Sequence, residues 1–195
     1  MRRLVLFGLI CVFALQAQAQ LVSGLENISP FKDGLAAVEK GGTWGFIDEE
    51  GKLIIDFRAD LVLKDEFPEF SSGRCMIVQQ KDGVQYFGFI DKTGKEVIPA
   101  KYVKASPFEN GYAIVTLYSK ETIGQNQVLN KEVVQYQIED YVIDTQGEVH
   151  SSLYNAENFV PDKLKKGPPE ARSFFMGKGL VAVQDEQNKW SIYKF

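Results

Sequence analysis

Histidine and cysteine are almost missing from this chain. Its 195 residues include one histidine, His150, and two cysteines, Cys11 and Cys75. A single imidazole removes the common multi-histidine zinc sites, and no serine or cysteine motif is tied to it, so His150 reads as a surface-loop residue. Basic charge is also short. There are 22 Lys and Arg against 26 Asp and Glu, a net charge of -4. That balance argues against a nucleic-acid partner held by its phosphates. Beyond the first twenty residues, no apolar run approaches the roughly twenty residues needed to span a bilayer. With 45% apolar residues, the chain is not too polar to fold. It suits one domain with a sizeable core.

The first nineteen residues read as an address. Arg2 and Arg3 are followed by an apolar run of twelve, Leu4 to Leu15, and then by the small-x-small pattern Ala17-Gln18-Ala19. This is the three-part form of a secretory signal peptide, with cleavage expected after Ala19. The run is too short for a membrane anchor. Ile10 before Cys11, and the apolar run continuing past it, argue against a lipoprotein. Cleavage removes two arginines and Cys11, leaving 20 basic and 26 acidic residues. Cys75 is then alone, so no internal disulfide can form, which is unusual for a small exported domain. The expected localisation is periplasmic, cell-surface or secreted.

Residues 20–195 repeat themselves. Ser29-Pro30-Phe31-Lys32-Asp33-Gly34 returns as Ser106-Pro107-Phe108-Glu109-Asn110-Gly111, with Phe70-Ser71-Ser72-Gly73 between them and a weaker Met176-Gly177-Lys178-Gly179 after them. A short apolar run follows each of Gly34, Gly73, Gly111 and Gly179. A second motif, Trp44-Gly45-Phe46-Ile47-Asp48-Glu49-Glu50-Gly51, matches Phe87-Gly88-Phe89-Ile90-Asp91-Lys92-Thr93-Gly94. Tyr141-Val142-Ile143-Asp144-Thr145-Gln146-Gly147 reads as a third copy, with Tyr141 at the tryptophan position and Val142 at the glycine position. Trp190-Ser191-Ile192-Tyr193 reads as a fourth. The units run at about 25–62, 63–103, 104–149 and 173–195, with insertions at 116–140 and 150–172.

These motifs resemble the WG repeat family, named for a pair such as Trp44-Gly45. The resemblance covers about Leu25 to Phe195. It implies an all-β repeat architecture, usual in secreted or surface bacterial proteins, and it carries over no enzyme activity or catalytic residue.

The residues give their own reading of the fold. Runs of β-branched and aromatic residues bounded by glycine are strands. Asp48/Gly51, Asp91/Gly94 and Asp144/Gly147 suit turns in which the aspartate caps its own backbone and the glycine is left-handed. A calcium loop needs more oxygen ligands than these turns supply; Asp48-Glu49-Glu50 is the only acidic cluster that could weakly hold an ion. Gly45 and Gly88, inside strands, suggest a bulge or a close approach, with an aromatic ring from a neighbouring repeat as the expected neighbour. Period-two alternation puts Cys75 in a small buried slot shared with Ala36, Ala113 and Val181. The expected architecture is all-β, with antiparallel hairpin repeats stacked as a short solenoid or curved sheet. A closed barrel or blade-like arrangement is the alternative.

Insertion 116–140 reads as a long projecting hairpin turning near Gly124–Gln127. Insertion 150–172 reads as a loop with a helical turn and a basic patch of Lys163, Lys165 and Lys166. The broad faces of repeats, with exposed aromatics and the two insertions to supply contacts, point to a non-catalytic binding or scaffolding module for protein or cell-envelope partners, without a cofactor. A carbohydrate or peptidoglycan binder using Trp44, Trp190, Tyr102 or Tyr118 as stacking platforms is the alternative, although the repeat positions of both tryptophans suit core packing. A hydrolase using Asp48/Glu49 or Asp65/Glu66 is the weakest reading, because adjacent residues on a strand diverge.

Overall fold

The computed structural model describes residues 21–127, 130–153, 157–177, 179–185 and 187–195. The leader, its cleavage position and Lys178 lie outside them. The first unit holds β1 (Asn27–Ile28), β2 (Ala36–Lys40), β3 (Thr43–Ile47) and β4 (Leu53–Arg58). The second holds β5 (Cys75–Lys81), β6 (Val84–Ile90) and β7 (Glu96–Ala105). The third holds β8 (Tyr112–Asn126), β9 (Lys131–Asp144) and β10 (Val149–Ser152). After β11 (Glu157–Asn158) and a 3-10 helix (Pro161–Lys166) comes the fourth, with β12 (Ser173–Gly177), β13 (Leu180–Gln184) and β14 (Trp190–Lys194).

All strand pairing is antiparallel, in sheets ordered β1-β2-β3-β4, β10-β9-β8-β7-β6-β5 and β12-β13-β14. None closes on itself among the described residues, so the body is a curved stack rather than a barrel. One rule links the units. A leading segment pairs with each unit at the same register: Ile28 with Val38, Leu61 with Ile77 as an isolated bridge, Ala105 with Val115, and Ser173 with Val183. β7 pairs its first part with β6 and its last residues with β8, so the strand that ends one unit opens the next.

The core lies between units because successive side chains point to opposite faces. Ala37 and Phe46 face forward from the first unit, where they meet Cys75, Ile77 and Ile90 of the second. Phe89 and Met76 face forward from the second, onto Ala113, Val115 and Ile143 of the third. Ile114 and Val142 repeat the arrangement against Val181 and Val183 of the fourth. No unit buries both its faces alone, so each depends on its neighbour.

The two insertions add paired strands and a 3-10 helix to the stack. Residues 116–140 lie in a long hairpin, in which β8 and β9 pair from Tyr112–Asp144 out to Asn126–Lys131. Gly124 lies inside β8, next to a register shift between Thr122 and Gly124, and does not turn the chain. A bulge absorbs the glycine that the sequence offers as a breaker. Residues 150–153 and 157–172 are also tied to the body. β10 and β11 pair with β9, and buried Leu164 of the 3-10 helix packs on Val103 and Ile138.

Candidate functional site

The junctions between units carry the most regular chemistry. Phe70 of the second unit stands edge-on to Phe46 of the first, with ring centroids 4.8 Å apart. Phe108 of the third stands edge-on to Phe89 of the second, also at 4.8 Å. All four rings are buried, and edge-to-face packing suits the aromatic quadrupole. Beside them the turns interlock. The Asp33 carboxylate accepts from the Gly73 N–H at 2.6 Å, and the Ser72 hydroxyl accepts from the Gly111 N–H at 3.1 Å. Asp33 and Ser72 each have positive φ and precede their unit's motif glycine, Gly34 or Gly73. Lys92 adds an ion pair to Asp33 at 3.0 Å. Its ammonium helps to hold the Asp33 carboxyl below the usual carboxylate range, against a larger opposing effect of burial.

The aspartate turns form the other edge of each junction. The Asp48 carboxylate accepts from Glu50 and Lys52 N–H, Asp91 from Thr93 and Lys95, and Asp144 from Gln146 and Glu148. Gly51, Gly94 and Gly147 have φ of 78°, 84° and 84°. A Cβ at Gly94 would lie 3.1 Å from Ile55, and one at Gly147 would lie 3.2 Å from Ile98, so each of these turns rests on the isoleucine of the preceding unit. The pattern recurs once more at Asp185, which accepts from Gln187 and Lys189 N–H, with Asn188 at φ 61° in the glycine's place. Sequence reasoning passed over this turn because asparagine stands where glycine was sought. The Asp-x-x-Asn-Lys spelling was the available signal.

The closest approach at both Gly45 and Gly88 is to backbone, and the one ring nearby, Phe57 at 3.5 Å from a Cβ at Gly45, belongs to the same unit. A Cβ at Gly45 would lie 2.8 Å from Ile55 O, and one at Gly88 would lie 2.6 Å from both Ile98 O and Ala100 N. The partner is the next strand of the same unit, at bulges where β4 and β7 carry extra residues. The expected aromatic ring from another repeat is therefore replaced by main chain.

Strand pairing also corrects the third copy. Trp44 pairs with Glu39, Phe87 with Val78, Asp140 with Thr116 and Trp190 with Gln184. Asp140, not Tyr141, thus stands in the tryptophan position, and Tyr141 stands in the glycine position filled by Gly45 and Gly88. Asp140 is buried. It accepts from the Thr116 hydroxyl at 2.6 Å and the Ser173 hydroxyl at 2.5 Å. Buried polar groups need such partners, and these tie the third unit to the fourth. Lys104 lies nearby and donates to Pro169 O at 2.8 Å. Burial lowers its pKa, opposed by the charges of Asp140 and Glu170.

The remaining candidates scatter. Trp44 is buried with its edge to Phe67, and Tyr102 is buried, so neither ring is a platform for a sugar. Trp190 departs from the core role suggested by its repeat position: it is 49% exposed, with Phe174 at 5.2 Å. Phe31 is 49% exposed, unlike Phe70 and Phe108. Tyr118 stacks on Tyr136 at the root of the long hairpin, with planes 4° apart. Lys165 pairs with Asp162, Lys163 lies over the Phe159 ring, and Lys166 is exposed. Asp65 and Glu66 are exposed in a tight turn closed by Lys64 and Phe67. His150, on β10, is exposed against Tyr112 and Phe195. Among the described residues, no group of three or more His, Cys, Asp and Glu gathers in a metal-binding arrangement, and no helix is long and apolar enough to cross a membrane.

Cys75 is buried, and desolvation pushes its thiol up to about 12 from an ordinary 9.0. The unfolded thiol ionises first, so this group's contribution to stability is complete below pH 9 and falls as pH rises from about 9 towards 12. Thiol reagents are expected to label Cys75 no faster than the protein opens. Rapid stoichiometric labelling at neutral pH, with the native circular dichroism retained, contradicts this placement.

Grooves open at the junctions. One of ≈ 240 Å³ lies by Phe46 and Phe70, one of ≈ 220 Å³ by Phe89 and Phe108, and one of ≈ 150 Å³ by Tyr112 and Phe195. The middle one is mainly apolar, with Leu63 and Met76 along it and Lys64, Glu69 and Arg74 among its polar lining residues. The WG containing repeat family matches residues 25–44, 44–58 and 87–120. Searches of curated proteins and of solved structures returned no match. The matched segments, 25–58 and 87–120, carry Phe46, Phe89 and Phe108 and the Asp48 and Asp91 turns of these junctions, and they are similar to WG containing repeats.

Proposed function

We propose that the protein is an exported, non-catalytic binding module that docks segments of protein partners in the grooves between its repeats. The observation that carries this reading is the recurrence of a groove at successive junctions, beside interlocked turns. A row of equivalent apolar slots suits an extended chain whose side chains fall at intervals, as in other repeat proteins. The non-catalytic reading is supported by the turn aspartates, whose carboxylates already accept their own backbone N–H groups. The export reading is supported by the arginine-led apolar leader.

The test is capture from a native cell-envelope extract by the chain that starts at Gln20. Leu63 is exposed on the middle groove. Leu63→Asp is expected to lose the captured partner at least tenfold while circular dichroism is retained. Undiminished capture by this variant contradicts the groove. A sugar-binding role is the second reading, favoured by the exposed Trp190 ring beside Phe174. It requires a change in tryptophan fluorescence on titration with cell-wall glycans, and a silent response across a broad panel removes it.

A further inference from the structure

In the first three units the second hairpin strand carries a third strand on its outer edge: β4 lies on β3, β7 on β6 and β10 on β9. Among the described residues, β14 is the outermost strand of its sheet. Two contacts set the phase of its hydrogen bonds. Asp185 N–H donates to Lys189 O, and Phe195 N–H donates to Gly179 O. In the same register Val183 faces Ser191 and Val181 faces Tyr193. Bonded pairs alternate along an antiparallel ladder, so Ser191 and Tyr193 turn their main-chain groups to β13. Trp190, Ile192 and Lys194 turn theirs outward. This edge is straight and open. β14 pairs with β13 without a register shift, and all five of its residues are exposed. It holds neither a proline nor a bulge, two devices that blunt natural edges, and Lys194 is its one charged residue.

We propose that β14 is a docking edge for an extended segment of a partner protein, which adds to the sheet as an antiparallel strand with a branched apolar residue opposite Ile192. The sister units select that chemistry. Ile192 stands where Phe46 and Phe89 stand, since it pairs with Ala182 as they pair with Ala37 and Met76. Opposite Phe46 is Ile55, and opposite Phe89 is Ile98. In strand addition the main-chain bonds supply affinity and alternate side chains supply specificity. Phe174 and Trp190, exposed on the same face with ring centroids 5.2 Å apart, widen the apolar contact around Ile192. A second copy does not supply the strand, because Ile55 and Ile98 are buried in their own units. Lending either one would open a unit. The edge also lies apart from the middle groove, which residues of the second and third units line.

The test titrates the chain from Gln20 with a synthetic peptide of the sequence of residues 52–58, which spans β4. Trp44 is buried and Trp190 is exposed, so docking is expected to shift tryptophan emission to the blue, saturably, as Trp190 leaves water. Ile192→Pro removes an outward N–H and none that bonds to β13, and edge strands tolerate proline. It is expected to weaken the peptide about tenfold while retaining circular dichroism. The peptide N-methylated along its backbone is expected to lose as much against the unaltered protein. Leu63→Asp, in the middle groove, is expected to leave the titration unchanged, so loss at the edge and loss at the groove can be told apart. No saturable shift, undiminished binding of the N-methylated peptide, or undiminished binding by Ile192→Pro each overturn the proposal. So does self-association without peptide that takes Trp190 out of water, as sedimentation and emission would show.

Discussion

Phe89→Ala and Phe108→Ala are each expected to lower stability by about 3–5 kcal/mol, while Phe31→Ala changes it by less than about 1 kcal/mol. Phe31 and Phe108 occupy the same place in the repeat, and composition gives no reason for them to differ. The difference is burial. Phe108 is enclosed between the second and third units against Phe89, whereas Phe31 is half in water. Truncating an enclosed ring loses its transfer free energy and leaves a cavity that β5 to β9 cannot easily collapse around. A stability of about 5–15 kcal/mol, usual for a domain, makes such a loss large. Urea unfolding followed by circular dichroism measures it. Equal losses at Phe31 and Phe108 would mean that the rings act within their own units and that stacking contributes little.

Gly88→Ala is expected to cost about 3 kcal/mol, through overpacking rather than loss of a contact. The added methyl would meet Ile98 O and Ala100 N at 2.6 Å, and both are main-chain atoms of a bulged strand that cannot swing aside. Gly124→Ala is the control. A Cβ there meets nothing within 4 Å, so the change is expected to fall within about 0.5 kcal/mol. Thermal unfolding of the two variants distinguishes them. A Gly88→Ala protein as stable as wild type would show that the close approach of β6 to β7 is not required.

The fold was legible because turn chemistry and period-two alternation agree with each other over several copies. Asp91-Lys92-Thr93-Gly94 encodes a turn locally, and Ala113 and Val115 encode a face locally, so neither needs knowledge of distant residues. What escaped is non-local. The place of Asp140 in the tryptophan column is set by its pairing with Thr116, and its burial depends on Ser173, 33 residues further on. Gly88 signals a bulge or a close approach, but which backbone stands opposite it depends on the extra residues of β7. Exposure at Trp190 and Phe31 depends on which units stand next to them, although their motif positions match those of buried residues. The grooves were equally hidden, since each is made by two units and belongs to neither.

The central claim is that adjacent units are joined energetically through their edge-on phenylalanines. A double-mutant cycle to alanine at Phe46 and Phe70, with Phe46 and Phe108 as the distant comparison, tests it most directly. The expected coupling is about 0.5–1.5 kcal/mol for Phe46 with Phe70, and none beyond about 0.5 kcal/mol for Phe46 with Phe108. Additive losses at Phe46 and Phe70 would contradict the stacked-repeat account.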